Sequence, residues 1–131
     1  AKYVFLKING EIFILAKELA AKIFDRSKFK NLKEVSGRKL VGRNYKPLFK
    51  IFGSEINIPY EVLGADFVSL EEGTGIVHIA PAFGEEDFNL IKECYKEMPF
   101  LITVDEDGKI KKGFNIPGEG KFVKIADEEI K

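Results

Sequence analysis

Runs of β-branched and aromatic residues open the chain. They cover Tyr3–Ile8 and Glu11–Leu15 and are separated by Asn9 and Gly10, a pair that suits a type I′ turn because both positions need positive φ. The pattern predicts a β-hairpin. In residues 16–23, helix formers surround an apolar set at helical spacing, which predicts a short amphipathic helix with a buried face of Leu19, Ala20 and Ile23.

Glycines and prolines divide the middle of the chain into short pieces. Between residues 29 and 59 the apolar pieces that remain between these breakers predict short strands at 39–41 and 48–52. Two longer apolar runs, 65–70 and 75–80, predict strands on either side of a turn at 71–75. Because side chains alternate along a strand, Ile76, His78 and Ala80 would share one face.

The last third of the chain predicts helices and another hairpin. Residues 85–97 begin with three acidic residues, which suits the positive end of a helix dipole, and would turn Phe88, Ile91 and Tyr95 to the core. Residues 101–104 and 109–112 flank the hairpin signal 105–108, and Asp127 is typical of a helix start. The fold class predicted is therefore a strand-dominated α+β domain, a small closed or partly closed β-barrel with two or three short helices.

Composition favours one ordinary soluble domain over residues 1–131. The chain is 45% hydrophobic and carries 21 basic and 21 acidic side chains, outside the range of disordered proteins. No apolar stretch approaches the roughly 20 residues of a membrane helix, so no membrane role is expected. A net charge of zero argues against holding nucleic acid by bulk counterion release, although a local patch stays open. A single cysteine, Cys94, suits a reducing, cytoplasmic location.

Several chemistry-bearing residues also have ordinary structural explanations. Residues 105–108 resemble part of a calcium loop but lack its spacing, so a solvated turn is expected. Cys94 is expected to fill the core within a helix. The segments 28–33 and 109–112 interleave lysines with apolar residues and are either solvated faces or phosphate-contacting patches. His78 taken alone suggests a barrel-lining histidine, and Asp87 taken alone a helix-dipole acid.

Residues 73–88 form a longer pattern. It consists of a Gly-Thr-Gly turn, an apolar strand ending in Pro81, a loop, and Asp87 followed by an aromatic residue. This segment closely resembles the signature of the editing domain inserted in the isoleucyl, valyl and leucyl class I aminoacyl-tRNA synthetases. His78 shortly before Ala-Pro resembles the isoleucyl branch. Looser matches at 42–49, 3–23 and 122–130 extend the resemblance over nearly the whole chain.

The resemblance implies a proofreading activity. A synthetase that chooses isoleucine over valine must discriminate one methylene, worth only about 1–3 kcal/mol, so a second site removes the smaller product. The implied reaction is hydrolysis of the ester of valyl-tRNA for isoleucine, and of valyl-adenylate, by direct attack of water. The alternatives left open are a catalytically incomplete module that docks the tRNA acceptor end, and a valyl or leucyl editing domain.

The resemblance also implies roles for individual residues. Asp87 would orient the α-ammonium group of the substrate, His78 would line the pocket or contact the terminal ribose, and Thr74 would donate a hydrogen bond near the attacked carbonyl. Gly73 and Gly75 would let the backbone approach the substrate closely. Further substrate-binding positions are Ala80, Pro81 and Phe83.

The implied partners are the tRNA acceptor end with its mischarged ester and the rest of a synthetase chain. Neither a metal nor a cofactor is expected in this domain, since ATP and magnesium would belong to the synthetase core. The family carries a threonine-rich strand that has no counterpart in these residues. The chain is therefore expected to be an editing-domain fragment, shortened at its N-terminal side and excised from a longer synthetase.

Overall fold

The computed structural model describes residues 1–48, 59–97 and 102–130, with only the backbone described for 127–130. The Cα positions cluster into two compact units. The first unit consists of Ala1–Asn44 with Glu61–Ile79, and the second of Tyr45–Tyr60 with Ala80–Lys131.

An antiparallel sheet of three strands organises the first unit. Its strands are β1 (Lys2–Ile8), β2 (Glu11–Ala16) and β3 (Lys30–Ser36), in the order β2-β1-β3. Asn9 and Gly10 connect β1 to β2 with φ angles of 49° and 88°, as a type I′ turn requires. The predicted hairpin is therefore confirmed.

A short helix covers one face of this sheet. Helix α1 (Lys17–Ile23) follows β2 directly, and Leu19 and Ala20 are buried, as predicted. Ile23 is 43% exposed, so its predicted burial is wrong. The helix ends there, and the extended residue Phe24 packs against the core instead. That core cluster consists of Val4, Leu6, Leu15 and Ala20.

Strand β3 was not predicted, because only one of its residues is even half buried. An edge strand gains its order from backbone pairing with β1 and needs no buried apolar stripe. An ion-pair cluster adds to that pairing: Glu34 on β3 contacts the Lys2 and Lys17 ammonium groups at 3.0 and 2.6 Å. The hydrogen bond from Lys17, followed by that from Lys2, lowers the pKa of Glu34.

The strands predicted at 39–41, 65–70 and 75–80 are absent, and the predicted barrel is not found in the described residues. A 3-10 helix at Gly37–Lys39 and a turn replace the strand at 39–41. Residues 65–70 and 75–80 form turns and irregular backbone. The Gly75 carbonyl accepts from the Tyr3 hydroxyl and the Ser69 hydroxyl from the Glu71 N–H, rather than from strand partners in a ladder. The predicted strand at 48–52 lies outside the described residues except for Leu48. The result is an α+β fold with an open sheet.

The described part of the second unit contains two helices and a hairpin-like turn. Helix α2 (Glu85–Cys94) begins at the predicted residue, but it ends before Tyr95. Ile91 is buried, as predicted, whereas Phe88 is 38% exposed, so its predicted burial is wrong. Helix α3 (Val123–Ile130) already includes Asp127, so the prediction that Asp127 starts a helix is wrong. Phe122 supplies the first carbonyl of α3 to Ile125 and Ala126.

The predicted turn at 105–108 is confirmed, whereas the strands predicted on either side of it, at 101–104 and 109–112, form only isolated bridges in the described residues. Asp105 accepts hydrogen bonds from the backbone N–H groups of Asp107 and Lys109 at 3.0 and 2.9 Å, and Gly108 has a φ of 76°. Single bridges join Val104 to Ile110 and Lys109 to Phe122. Residues 105–108 are therefore the expected exposed turn. Among the described helices, none has the length and apolar character needed to cross a membrane.

Candidate functional site

The Gly-Thr-Gly turn is attached to the sheet of the first unit at the junction of β2 and α1. The backbone N–H of Ala16 donates to the Thr74 carbonyl at 2.8 Å. Gly73 and Gly75 have φ angles of 66° and 74°, in the region that glycine enters without steric cost. A Cβ added to the buried Gly75 would lie 2.5 Å from the Cβ of Ala16. The pattern therefore needs glycine at position 75 for two reasons, conformation and space.

Tyr3 forms a second attachment of the same turn. Its hydroxyl donates to the Gly75 carbonyl at 2.7 Å, across 72 positions of sequence. The Tyr3 ring also lies so close to Gly37 that a Cβ there would be 2.9 Å from it. Sequence reasoning missed Tyr3 and Ala16 as partners of the turn. No local signal links residues so far apart, because tertiary folding alone brings them together.

The Thr74 side chain is bonded within its own turn. Its hydroxyl donates to the Ile76 carbonyl at 3.0 Å and accepts from the Ile76 N–H at 3.3 Å. A hydroxyl has a single proton to donate, so that proton is committed to Ile76. Thr74 is exposed. In this arrangement its hydroxyl oxygen can accept a hydrogen bond from a ligand but has no proton left to donate.

His78 lies on irregular backbone and is exposed. Ile76 and Val77, which would lie on opposite faces of the predicted strand, are both exposed as well. The prediction that His78 lines one face of a strand is therefore wrong, because residues 75–80 have no strand neighbour that would separate two faces.

The remaining predicted positions form a loop and helix start in the second unit. The Ala80 carbonyl accepts from the N–H groups of Phe83 and Gly84 at 2.9 and 3.2 Å, which folds residues 80–84 into a compact turn. Ala80 and Pro81 are half buried, and Phe83 is exposed. Helix α2 follows immediately, with the Gly84 carbonyl accepting from the Phe88 N–H at 2.9 Å.

Asp87 closes this turn from the first turn of α2. Its half-buried carboxylate accepts the Ala80 N–H through Oδ2 at 2.8 Å. Gly84 leaves room for this contact, since a Cβ there would lie 3.1 Å from Oδ2. Glu85 and Glu86, which share its helix-dipole position, are exposed. A carboxylate can accept about four hydrogen bonds, so Asp87 can hold the loop and still bind a cationic group.

The structure places the predicted residues in two groups. Gly73, Thr74, Gly75 and His78 belong to the first unit, and Ala80, Pro81, Phe83 and Asp87 to the second. The convergence of His78 and Asp87 in one pocket stays a prediction.

Two other sequence candidates have simple outcomes. Cys94 is exposed at the last residue of α2, so its predicted role as core filler within a helix is wrong, because the helix ends there. Within residues 1–48, 59–97 and 102–126, no cluster of three or more His, Cys, Asp or Glu side chains could hold a metal ion.

Comparison with known proteins points to one group of enzymes. The chain is 44% identical over 128 residues to the isoleucine–tRNA ligase of Clostridium novyi (strain NT), 40% identical over 126 residues to that of Chlamydia muridarum (strain MoPn / Nigg), and 36% identical over 129 residues to that of Bacillus thuringiensis (strain Al Hakam). These matches cover 95–98% of the chain. The chain is similar to a segment of isoleucine–tRNA ligases.

This similarity confirms the resemblance to aminoacyl-tRNA synthetases inferred from the sequence pattern. The chain spans only about 12% of the length of these relatives. No protein-family profile matches the chain.

Proposed function

We propose that this chain is the proofreading segment of an isoleucine–tRNA ligase and hydrolyses the ester of mischarged valyl-tRNA for isoleucine, and valyl-adenylate. Support comes from the similarity to isoleucine–tRNA ligases and from the Gly-Thr-Gly and Asp-aromatic pattern of residues 73–88. The observation that carries the proposal is the position of Asp87. Its carboxylate is half buried at a helix start and retains acceptor capacity beyond its bond to Ala80.

The chemistry of an aminoacyl ester suits such a carboxylate. The free α-ammonium group lies next to the scissile carbonyl, and a fixed carboxylate binds it through a charge-assisted hydrogen bond. The Ala80 N–H holds Oδ2, which limits the rotation of the carboxylate and so defines where the ammonium group is placed. Orientation of this kind lowers the entropic part of the barrier.

The hydrolytic step needs little more than water and polar groups. A water oxygen attacks the ester carbonyl, and collapse of the tetrahedral intermediate breaks the bond to the ribose oxygen. Valine and a tRNA with a free terminal hydroxyl are released. The Thr74 oxygen, held by two bonds to Ile76, accepts a hydrogen bond from the water or from a ribose hydroxyl in this proposal. The turn at Gly73 and Gly75 brings backbone close to the ester.

Size would provide the selectivity. Valine is smaller than isoleucine by one methylene. A pocket that is too small for the isoleucyl ester selects the valyl ester by exclusion, so it does not depend on the small difference in binding affinity that one methylene provides. Ala80, Pro81 and Phe83 are the proposed apolar positions, and His78 the polar contact to the substrate. The curated relatives reported above are isoleucine enzymes, which favours this substrate over those of the valyl and leucyl branches.

Substitution of Asp87 in the complete isoleucine–tRNA ligase that carries this segment tests the proposal. Asp87→Ala should slow deacylation of valyl-tRNA for isoleucine by on the order of a hundredfold or more, the rate equivalent of about 2–4 kcal/mol for a lost charge-assisted contact. Activation of isoleucine, measured by pyrophosphate exchange, should not change.

Two further variants separate substrate binding from loop structure. Asp87→Asn keeps a carbonyl oxygen that can accept the Ala80 N–H, so the loop should persist while the charge for the ammonium group is lost, and deacylation should still fail. Glu86→Ala removes an exposed acid from the same helix turn and should deacylate normally. Deacylation by Asp87→Asn within a few-fold of the wild type would contradict the proposal.

A second candidate function is a module that docks tRNA without catalysis. Two observations favour this docking module. The Thr74 hydroxyl proton, which could polarise a carbonyl, is donated to the Ile76 carbonyl instead, and His78 is exposed on irregular backbone. This candidate predicts that Asp87→Ala reduces neither deacylation by the ligase nor its tRNA affinity.

A further inference from the structure

The three-stranded sheet has two faces with different coverings. Residues paired across an antiparallel ladder project to the same side, and the register pairs Phe5 with Ile14 and Lys33, and Lys7 with Ile12 and Lys30. On the opposite face Val4, Leu6 and Leu15 are buried, and Phe13 is 38% exposed. We call the first side the Phe5 face; its residues are Tyr3, Phe5, Lys7, Ile12, Ile14, Ala16, Lys30, Lys33 and Val35.

One end of the Phe5 face is occupied by the candidate site. Tyr3 and Ala16 are register partners there, and they hold the turn at 73–75 through the bonds described above. The rise of a strand, roughly 3.3 Å per residue, places Lys7 about 13 Å further along β1 than Tyr3. The open end of this face thus leads directly away from the Gly-Thr-Gly turn within the same unit.

All charges on the Phe5 face are positive. Lys7, Lys30 and Lys33 are exposed, and the register places no acid on this side. Lys7 and Lys30 stand directly opposite each other, a like-charge pairing that destabilises a sheet. The chain as a whole has equal numbers of acids and bases, and on the opposite side Glu34 forms ion pairs with both Lys2 and Lys17. The cations on this face are therefore clustered, although the chain as a whole has a net charge of zero.

Apolar groups lie beside these lysines. Ile12 and Ile14 on β2 are 58% and 40% exposed, and the half-buried Phe5 ring lies 5.5 Å from the Lys33 ammonium. A sheet face that combines cations with exposed apolar and aromatic groups suits single-stranded RNA, whose phosphates meet lysines while its bases pack on apolar side chains.

We infer that the open end of the Phe5 face binds a single-stranded segment of tRNA and leads it to the Gly-Thr-Gly turn. Lys7, Lys30 and Lys33 contact phosphates, and Phe5, Ile12 and Ile14 contact bases. The choice of tRNA rests on the proposed function. The RNA-binding chemistry of the face rests on the register, the charges and the exposures alone.

Binding of the 131-residue chain to an isoleucine tRNA transcript tests this inference. A variant with Lys7→Gln, Lys30→Gln and Lys33→Gln should bind at least about tenfold more weakly in low salt. Its plot of log affinity against log salt concentration should be shallower by about 2, since each phosphate contact on a single strand contributes about 0.7. Fluorescence anisotropy over about 50–200 mM salt measures both quantities, and circular dichroism verifies the fold.

A matched control removes the same charge from the second unit. Lys92→Gln, Lys96→Gln and Lys124→Gln change three exposed lysines there, and the affinity should fall much less. Equal losses in the two triple variants, or no measurable binding by the wild type, would overturn the inference. So would a dimer in sedimentation that dissociates on Ile12→Ser with Ile14→Ser while RNA affinity stays unchanged, since that result assigns the face to a second copy of the chain.

The complete ligase separates this inference from the proofreading proposal. There the lysine variant should raise the KM for mischarged tRNA in deacylation with little effect on kcat, whereas Asp87→Asn should lower kcat. If the lysine variant raises KM as expected but Asp87→Asn leaves kcat unchanged, only the proofreading proposal is overturned. If Asp87→Asn lowers kcat but the lysine variant leaves KM unchanged, only the docking inference is overturned.

Discussion

Gly73 and Gly75 have similar backbone angles but different surroundings. Both lie in the left-handed region, with φ angles of 66° and 74°. A Cβ at Gly73 would meet no atom within 4 Å, whereas one at Gly75 would lie 2.5 Å from the Ala16 Cβ. Conformation alone therefore requires glycine at position 73, and conformation together with packing requires it at position 75.

Alanine at these two positions should separate the two effects. Gly73→Ala should cost about 1 kcal/mol of unfolding free energy for a side chain in the left-handed region. Gly75→Ala should cost about 2–4 kcal/mol, because displacement of Ala16 adds to the same backbone penalty. Urea denaturation followed by circular dichroism measures both values. Equal losses would show that the Ala16 contact relaxes without cost.

Glu119 is held by the backbone of its own loop. The Asn115 N–H donates to Oε1 at 2.6 Å. Hydrogen bonds from the N–H groups of Gly113 above all, and then Asn115, Ile116 and Phe114, lower the pKa of Glu119 from its ordinary 4.5. These donors stabilise the ionised carboxylate, since each offers a proton to the anion.

The loop at 113–119 should therefore weaken in acid. A carboxyl group with a lowered folded pKa contributes stability above its unfolded pKa and loses it as the pH falls through the folded value. The amides of residues 113–116 should lose protection against hydrogen exchange, relative to their intrinsic exchange rates, as the pH falls below the ordinary pKa of 4.5. Glu119→Gln should abolish this acid-dependent step, and Glu106→Gln, in the exposed turn, should leave it in place. Acid-dependent exchange that survives Glu119→Gln would refute the assignment.

At the scale of elements, the candidate turn at 73–75 depends on strands that are distant in sequence. Tyr3 near the start of β1 and Ala16 at the end of β2 hold the turn through one hydrogen bond each. The sheet core of Val4, Leu6 and Leu15 keeps those two strands in place. The geometry of the turn is thus coupled to the hairpin, although no strand ladder includes it.

Removal of the Tyr3 hydroxyl should loosen this coupling. Tyr3→Phe keeps the ring next to Gly37 but loses the bond to the Gly75 carbonyl, and a net cost of about 1 kcal/mol is expected. Hydrogen exchange should accelerate at the amides of residues 74–76. Tyr45→Phe, which removes a hydroxyl from an exposed ring, serves as the control. Unchanged exchange in Tyr3→Phe would mean that the Ala16 bond alone holds the turn.

At the scale of the whole molecule, a neutral chain has an uneven charge distribution. The acidic residues of the first helical turn of α2 lie in the second unit, and the uncompensated lysines of the Phe5 face lie in the first. In the proposed function these regions have complementary tasks. The carboxylate of Asp87 binds the cationic amino group of the substrate, and the lysines bind the anionic backbone of the tRNA.

The sequence by itself determined the local structures of this protein. Asn9 with Gly10 predicted the hairpin turn, the apolar spacing predicted α1, and the acidic cluster predicted where α2 begins. The pattern of residues 73–88 predicted the similarity to isoleucine–tRNA ligases. Each of these signals lies within a few consecutive turns of chain, where backbone preference, capping and periodicity act directly.

Tertiary structure decided the rest. Strand β3 is ordered by pairing with β1 rather than by an apolar period, so periodicity could not reveal it. Residues 65–70 and 75–80 have the composition of strands, but their hydrogen bonds go to Tyr3 and to local groups, and in the described part of the chain the sheet stays open. The contacts of Tyr3 with the candidate turn and the alignment of lysines on the Phe5 face depend on register. Register follows from long-range pairing, which the order of residues along the chain does not display.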